Sequence, residues 1–254
     1  MAKISVVLNT YNAEEYLDAV LDSVAGFDEI VVCDMESTDS TVAIARKHGC
    51  RVITFERGEN RICEPARDFA IHSAENEWVL VVDADEIVPD ALRDYLYEYI
   101  ERPDCSEALL IPRSNLFLGK RYDDTTDYQL RFMRKDKAWW PPQIHSRPQI
   151  DGKIGQIPKK RKDLYLVHLD NSALAKRFNK LNCYTDYELS RRKSKKYGMA
   201  KFIFRPAWFF LRSYFIHGGC RDGLRGLIKA YYAMIYQIML MSKVAEDKYY
   251  KDKK

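Results

Sequence analysis

Three carboxylates directly follow an unbroken apolar run near the middle of the chain. The run spans residues 78–82, and the carboxylates are Asp83, Asp85 and Glu86. A short, continuous apolar run is typical of a strand that is buried on both faces of a parallel sheet. Because side chains alternate along a strand, we expect Asp83 and Asp85 on one face, where they repel each other unless a cation lies between them.

A divalent cation would account for this spacing. Mg²⁺ or Mn²⁺ held by one or two carboxylates usually completes its coordination with water and substrate phosphates. The stretch therefore predicts a metal–diphosphate site. The alternative is a strand that ends in a solvated acidic turn, and the elements around the stretch help to decide between the two.

The elements that must position these carboxylates alternate between strand and helix. Strands are predicted at residues 4–8, 29–33, 51–55 and 78–82. Helices are predicted between them, the first capped by Asn12 with Glu15 and the second ending before Gly49. This alternation indicates an α/β fold with a doubly wound, mostly parallel sheet. In such sheets ligands bind beyond the carboxyl ends of the strands, where Asp34 and Asp83 both lie.

After Glu86 the pattern changes. Pro89 is well placed for the first position of a helix. Further strands are predicted at residues 107–111, 128–133 and 164–169. Loops rich in Asp, Trp and Pro lie between them, and long loops beside strand ends often carry function. We predict one domain over residues 1–196, with a nucleotide half at about 1–88 and an acceptor half at about 89–196.

Residues 197–254 differ from the rest of the chain in composition. Two apolar stretches, 202–217 and 224–241, are dense in aromatic residues and are interrupted by Arg or Lys. The first stretch is too short and too charged for a transmembrane span. Aromatic residues mixed with basic ones suit a membrane interface. We predict a C-terminal helical extension that associates with the membrane surface. The alternative is packing on the first domain or on a second subunit.

Composition argues against several classes of protein. The formal net charge is +4, which does not indicate a nucleic-acid partner. The six cysteines are scattered with no CxxC pair, which argues against a zinc or thioredoxin-type site. The first predicted strand begins at once, with no signal peptide before it, so we expect a cytoplasmic protein with reduced thiols. No GxGxxG follows a predicted strand, which sets aside a dinucleotide-binding protein.

The motifs at the predicted strand ends, taken in order, resemble those of the family 2 glycosyltransferases. The chain looks closest to the lipopolysaccharide-core and cell-envelope enzymes of bacteria. The matching segments are SVVLNTYN at 5–12, IVVCD at 30–34, STDST at 37–41, RDFA at 67–70, WVLVVDADE at 78–86, DYQLRF at 127–132, His145 and DGLRGL at 222–227. The resemblance implies the GT-A fold, which is Rossmann-like. One departure is the Met35-Glu36 pair after Asp34, where a glycine is more usual, and its loss is expected to alter the turn.

The resemblance also implies roles for individual residues in binding the nucleotide-sugar donor. Thr10, Tyr11 and Asn12 would line the nucleotide. Asp34 would accept a hydrogen bond from the base or the ribose, as a carboxylate at a strand tip can. Arg67 would reach the diphosphate, because the planar guanidinium group suits phosphate oxygens.

Further roles follow for the residues around the metal and the acceptor. Asp85 would bind the metal, and Asp83 the ribose or a metal-bound water. His168 would provide another metal or diphosphate contact, against the alternative of a hydrogen-bonded core histidine. The metal would neutralise the charge that develops on the departing nucleoside diphosphate. Arg131 and His145 would contact the acceptor.

An inverting enzyme of this family also needs a general base that takes the proton from the acceptor hydroxyl. Asp127 is predicted for this role, and the alternative is a loop carboxylate that pairs with Arg131. In relatives, a glutamate follows the histidine that matches His145, and that carboxylate is absent here. Asp124 and Asp151 are the further candidates for the base.

The chain is therefore predicted to be an inverting, metal-dependent glycosyltransferase. The resemblance implies a UDP-sugar donor, Mg²⁺ or Mn²⁺, and a lipid-linked saccharide acceptor of lipopolysaccharide or another envelope glycan. The expected location is cytoplasmic, peripheral on the inner face of the cytoplasmic membrane, and a homodimer is left open. Two alternatives remain: a non-catalytic relative that binds nucleotide-sugar or a membrane surface, and a sugar-phosphate nucleotidyltransferase. The absence of glycine and lysine from residues 9–12 counts against the second.

Overall fold

The computed structural model describes residues 2–58, 63–122, 127–143, 146–169, 174–192 and 197–251. The chain divides into two compact units, Met1–Asp170 and Asn171–Lys254. This division comes earlier than the boundary predicted after residue 196, since the helix that follows residue 173 belongs to the second unit. The division of the first domain into a nucleotide half and an acceptor half stays a prediction.

The first unit is built from strands and helices that alternate along its first hundred residues. Its strands are β1 (Ile4–Thr10), β2 (Glu29–Asp34), β3 (Arg51–Thr54), β4 (Trp78–Asp83), β5 (Glu86–Ile87), β6 (Ala108–Phe117), β7 (Lys120–Tyr122), β8 (Tyr128–Arg134), β9 (Ala138–Trp139), β10 (Gln149–Ile150), β11 (Ile154–Gln156) and β12 (Leu166–His168). Its helices are α1 (Glu14–Val24), α2 (Thr41–Lys47), α3 (Glu64–Ser73) and α4 (Asp90–Ile100). The strands and helices predicted before Glu86 are confirmed to within one or two residues.

One large mixed sheet positions the strand ends. Its order is β3-β2-β1-β4-β8-β6-β12-β5, with the first four strands parallel and β8 antiparallel to both of its neighbours. The predicted α/β fold with a mostly parallel sheet is confirmed. The carboxyl ends of β1, β2 and β4 meet at one edge, because Thr10 pairs with Asp34 and Asn9 with Asp83.

Helices cover both faces of the parallel strands, which is why the strands are apolar without a break. On one face, Leu17 of α1 packs in the same buried cluster as Leu80 of β4. On the other face, Ala70 of α3 shares a cluster with Val79 and Val81. Residues 79–82 are fully buried, and burying each such side chain contributes about 1.5–3 kcal/mol.

The predicted cap of α1 is wrong. The helix begins at Glu14, and Asn12 lies outside it in a left-handed conformation with φ of 47°. The Asn12 side-chain oxygen accepts the Thr38 backbone N–H at 2.8 Å, and the Asn12 N–H donates to the Ser37 hydroxyl at 2.9 Å. Asn12 therefore ties the loop after β1 to the loop after β2. Gly49 does follow α2, with φ of +71°.

The second unit is helical in its described residues. It contains α5 (Leu174–Arg192), α6 (Met199–Leu211), a π-helical turn (Arg212–Ile216) and α7 (Gly223–Lys251). α7 runs ten residues beyond the predicted end at 241, and α6 begins three residues before the predicted start at 202. Nowhere in the described ranges does a helix have the length and apolar character needed to cross a membrane.

The DGLRGL segment forms the close turn into α7. Gly223 has φ of +55°, in the region that favours glycine. A Cβ at position 226 would lie 1.8 Å from the carbonyl oxygen of Gly219. These two glycines allow the first turn of α7 to pack directly on the preceding backbone, so this motif has a structural explanation.

Candidate active site

The first part of the site lies where β1 and β2 end. The Thr10 hydroxyl donates to Asp34 Oδ1 at 3.0 Å, and the Ser37 hydroxyl and N–H donate to the same carboxylate at 2.6 and 2.9 Å. Asp34 is buried. These donors fix the carboxylate at the sheet edge, and its two oxygens keep room for one more donor from a ligand.

Tyr11 follows Thr10 in the chain, and its ring is covered by an arginine that the sequence analysis did not single out. The guanidinium carbon of Arg57 lies 3.6 Å from the centre of the Tyr11 ring. The backbone N–H of Arg57 donates to the Glu36 carboxylate at 3.2 Å. Glu36 itself has a φ of 63°, a positive value in the region that favours glycine, within the turn after Asp34.

A second cluster surrounds Asp83. Arg67 Nη2 donates to Asp83 Oδ1 at 2.7 Å, and Arg131 Nη2 donates to Asp83 Oδ2. Both arginines are buried, and their guanidinium carbons lie 4.8 and 5.8 Å from the centre of the Trp140 ring. Burial raises the pKa of Asp83, but the charges of Arg131 and Arg67 outweigh it and hold that pKa well below its usual range.

Three buried nitrogen donors of these two arginines have no hydrogen-bond acceptor among the described residues. They are Arg67 Nη1 and both Nε and Nη1 of Arg131. Buried polar groups without partners are rare in folded proteins, because each costs about 1–3 kcal/mol. An anionic ligand buried at the end of β4 would supply acceptors for these donors.

The expectation that Asp83 and Asp85 share a strand face is wrong. β4 ends at Asp83, and residues 84 and 85 form a turn into β5. Glu86 is fully buried beneath this turn. Its carboxylate accepts hydrogen bonds from the Asp83 backbone N–H at 3.1 Å and from Arg113 Nη1 at 3.2 Å. Burial and the negative charge of Asp83 raise the pKa of Glu86. The third carboxylate of the run thus fixes the turn that presents Asp85.

A line of hydrogen bonds connects Asp85 to Asp127. Asp85 Oδ2 lies 3.1 Å from His168 Nε2, and His168 Nδ1 lies 2.9 Å from Asn115 Oδ1. Asn115 Nδ2 donates to Asp127 Oδ2 at 3.0 Å. The sheet builds this line, because His168 pairs with Asn115 between β12 and β6 and with Glu86 between β12 and β5. Asn115 was missed from the sequence, since β6 runs six residues beyond its predicted end.

The line also orients the imidazole ring of His168. An ionised carboxylate only accepts hydrogen bonds, so Asn115 turns its amide nitrogen to Asp127 and its oxygen to His168. His168 Nδ1 then donates to Asn115 Oδ1, and Nε2 faces Asp85. Nε2 must give up any proton that it shares with the Asp85 carboxylate before it can bind a metal ion. Metal-binding histidines typically donate their other ring N–H to an oxygen in this way.

Asp85 and His168 are therefore the residues whose chemistry fits a divalent ion. A carboxylate oxygen and an imidazole nitrogen are both ligands that Mn²⁺ accepts. The described residues bring together no group of three or more His, Cys, Asp or Glu that could hold an ion without help. Such a pair matches an ion that takes its remaining ligands from water and substrate phosphates.

Asp127 is held by three donors. Besides Asn115, Arg113 Nε donates to it at 3.0 Å and Gln129 Nε2 at 2.6 Å. Burial raises the pKa of Asp127, but the hydrogen bonds from Asn115, Arg113 and Gln129 and the charge of Arg113 hold it below its usual range. Asp127 pairs with Arg113, and the expected alternative partner, Arg131, pairs with Asp83 instead.

The remaining predicted residues lie elsewhere. His145 and Asp124 fall outside the described residues. Asp151 is exposed and forms an ion pair with Lys137 at 3.1 Å, beside the two-stranded sheet of β9 and β10. The structure thus brings together Thr10 with Asp34, Arg67 and Arg131 with Asp83, and Asp127 with His168 and Asp85.

Comparison with known proteins gives the family. Residues 5–150 match the model described as Glycosyl transferase family 2. The chain is 26% identical over 250 residues to the lipopolysaccharide core biosynthesis glycosyltransferase LpsC of Rhizobium meliloti (strain 1021), covering 95% of this chain and 91% of that protein. It is 25% identical to an uncharacterized glycosyltransferase, RT0209, of Rickettsia typhi (strain ATCC VR-144 / Wilmington), covering 97% and 88%.

The fold has a counterpart among solved structures. The crystal structure of S. aureus TarS 1-349 superposes with a TM-score of 0.51 and 18% identity, covering 99% of this chain and 92% of that one. This likeness supports the GT-A fold that the motifs imply. Because the family match spans more than half of the chain and includes the strand ends that carry Asp34, Asp83 and Asp85, the chain belongs to glycosyl transferase family 2.

Proposed function

We propose that this glycosyltransferase moves a sugar from a UDP-sugar to a saccharide of lipopolysaccharide or another envelope glycan, with inversion at the anomeric carbon. The observation that carries the proposal is the hydrogen-bonded line from Asp127 to Asp85. It joins a carboxylate suited to proton transfer to a pair of residues suited to a divalent ion. The similarity to LpsC over 95% of the chain supports an acceptor of the lipopolysaccharide core type.

The nucleotide would occupy the edge formed by β1, β2 and β4. Asp34, held by Thr10 and Ser37, accepts a hydrogen bond from the base or the ribose, while Tyr11 and Asn12 line the same edge. The one unpartnered nitrogen of Arg67, Nη1, would face the diphosphate. Arg131 carries two such donors and contacts the acceptor or the transferred sugar from the other side of Asp83.

Asp85 and His168 would hold Mn²⁺ or Mg²⁺. When bound, the ion supplies positive charge that stabilises the departing nucleoside diphosphate. Asn115 would orient His168 for binding the ion, and Glu86 holds the turn that carries Asp85. Asp83 would hold a water or the ribose only through the oxygen lone pairs that its two arginines leave free.

Asp127 would act as the general base. The acceptor hydroxyl oxygen forms a bond to the anomeric carbon, the bond from that carbon to the diphosphate oxygen breaks, and the hydroxyl proton passes to an Asp127 oxygen. The lowered pKa keeps Asp127 ionised at neutral pH, which a base requires, and it also makes Asp127 a weaker base than an ordinary aspartate. A displacement of this kind in one step inverts the anomeric configuration.

The acceptor would be lipid-linked, and the enzyme would work at the inner face of the cytoplasmic membrane. Residues 197–245 support this placement, since they contain seven Lys or Arg and a single acidic residue, Asp222. Anionic lipid surfaces attract such basic segments. A homodimer stays an alternative arrangement.

Turnover with inversion tests the proposal. The protein is incubated with Mn²⁺, a panel of UDP-sugars and rough-type lipopolysaccharide, and UDP release and the anomeric configuration of the product are measured. Asp127→Asn is expected to lower kcat by at least about 100-fold, the usual contribution of a general base. Asp136→Asn, at an exposed carboxylate paired with Arg134, is the matched control and should retain activity. Nucleotide binding without any turnover would favour a non-catalytic relative, and a retained anomeric configuration would exclude the single displacement.

A further inference from the structure

One face of α6 is apolar and exposed. From position 204 onward the side chains concerned recur every three or four residues, so they form a stripe along the helix and into the π-helical turn, with Ile203 at its edge. They are between 46% and 71% exposed: Ile203, Phe204, Trp208, Leu211 and Phe215. We call these five residues the α6 stripe. Exposed apolar patches of this extent mark interaction sites in soluble proteins.

The core of the second unit does not use this stripe. The opposite face of α6 packs on α7, with Pro206 buried, the rings of Phe210 and Tyr231 5.0 Å apart, and Arg205 Nε donating to Gln237 Oε1 at 2.8 Å. α6 is therefore already held by its inner face. Within the described residues, the outer face remains half or more open to solvent at Phe204, Trp208 and Phe215.

Basic side chains flank the stripe. Lys201 lies one turn before Phe204, and Arg212 one turn after Trp208, and both are exposed. The sequence from 197 to 245 supplies only Asp222 as an opposing acid. Apolar side chains edged by cations complement a surface with an apolar interior and anionic headgroups.

We propose that α6 lies in the plane of an anionic lipid bilayer, with the α6 stripe inserted among the acyl chains and Lys201 and Arg212 in contact with lipid phosphates. This inference rests on the membrane placement in the proposed function and adds the surface and the mode of attachment. The 13 residues of α6 would reach only about 20 Å, which is less than the roughly 30 Å of a bilayer core, so α6 lies on the membrane and does not span it. Trp208 suits the boundary between headgroups and acyl chains.

A second copy of this chain is the competing occupant. A twofold interface is made by the same patch on both subunits. Pairing two α6 stripes would bring Lys201 and Arg212 of both copies to one interface, with no acid on either stripe to oppose them. The charges therefore favour lipid phosphates over a second stripe.

Vesicle flotation with full-length protein tests the proposal. The vesicles contain phosphatidylglycerol and phosphatidylcholine, and pure phosphatidylcholine vesicles serve for comparison. The double variant Phe204→Gln/Trp208→Gln is expected to bind the anionic vesicles at least about tenfold more weakly, because two large apolar side chains no longer insert. The matched control is Tyr249→Gln/Tyr250→Gln, which changes two equally exposed aromatic residues of α7 outside the stripe. The control should bind within about twofold of the original protein.

The fluorescence of Trp208 measures how deeply its side chain inserts into the bilayer. Lipids brominated near the headgroup end of the acyl chain should quench part of the tryptophan fluorescence. Trp208→Phe should remove that quenching and keep vesicle binding, since phenylalanine preserves most of the apolar surface. Quenching that persists in Trp208→Phe would overturn the proposal.

Two further outcomes would contradict the proposal. One is equal flotation of the stripe double variant and the original protein. The other is a dimer in sedimentation velocity without lipid that the stripe double variant converts to a monomer, which would make the stripe a subunit interface. UDP binding in the presence of Mn²⁺, measured on the same variants, keeps this test separate from the proposed function: its absence from every variant and from the original protein would count against the donor site alone.

Discussion

Asp83 and Asp85 lie two residues apart in one motif, and the structure gives them different neighbours. Both oxygens of Asp83 accept hydrogen bonds from buried arginines, Arg67 and Arg131. Asp85 faces a single imidazole, that of His168, at 3.1 Å. Side-chain exposure differs little between the two carboxylates, at 27% and 35%. The neighbouring charges therefore fit the two carboxylates for different tasks: Asp83 holds two guanidinium groups in place, and Asp85 would bind the metal ion under the proposed function.

The largest effect on stability is expected at Asp83. Asp83→Asn removes the negative charge between two buried guanidinium groups, and breaking such a pair from one side typically costs about 3–5 kcal/mol. We expect a loss near the lower end of that range, because Asp83 is partly exposed. Chemical denaturation of the variant beside Asp136→Asn measures it. Equal stability of the two variants would mean that the arginines are compensated by other groups.

Substitution of Asn115 tests the proposed role of Asp85 and His168 in metal binding. Asn115→Ala removes the acceptor that orients His168, and loss of such a partner typically lowers metal affinity 10–100-fold. It also removes a donor to Asp127 and leaves Asp83 and its arginines untouched. Titration of Mn²⁺ into the UDP-bound protein should show this weakening. Unchanged Mn²⁺ affinity would indicate that His168 does not bind the ion.

The pH profile gives a smaller effect that is specific to Asp127. As the base, Asp127 must be ionised, so kcat/KM should rise with pH through its pKa, which lies below the ordinary value of about 3.9. Gln129→Leu removes one donor to the carboxylate, so the acid limb should move to higher pH. The same depressed pKa stabilises the fold above the pKa of the unfolded chain, and that contribution is lost as the pH falls towards the folded pKa. An acid limb that does not move in Gln129→Leu would assign the base to another residue.

The elements of the first unit could be predicted because their periodicity is local. Unbroken apolar runs predicted β1, β2 and β4, and the strand-end rule predicted that Asp34 and Asp83 lie at the edge of the sheet where ligands bind. The pairing of Thr10 with Asp34 in register shows why the rule worked. Parallel strands of similar length end at one edge, so residues far apart in the chain meet there.

The predictions that were wrong or missing concern residues whose contacts are made with distant parts of the chain. Asn12 has the spacing of a helix cap, but it bonds to the loop after β2, 26 residues away. Asn115 carries no motif, and its importance appears only when β12 pairs with β6. The shared face of Asp83 and Asp85 was an argument from strand geometry, and Glu86 instead holds a turn there. Local sequence patterns do not encode such long-range contacts.

Calorimetric titration of UDP, with and without Mn²⁺, tests most directly the claim that Asp85 binds the metal and Asp83 does not. GDP and dTDP are titrated alongside to define the donor class. The account predicts that UDP binds more tightly with Mn²⁺, that Asp85→Asn abolishes this enhancement while thermal stability changes little, and that Asp136→Asn retains it. Asp85→Asn protein that binds UDP with an undiminished response to Mn²⁺ would contradict the account.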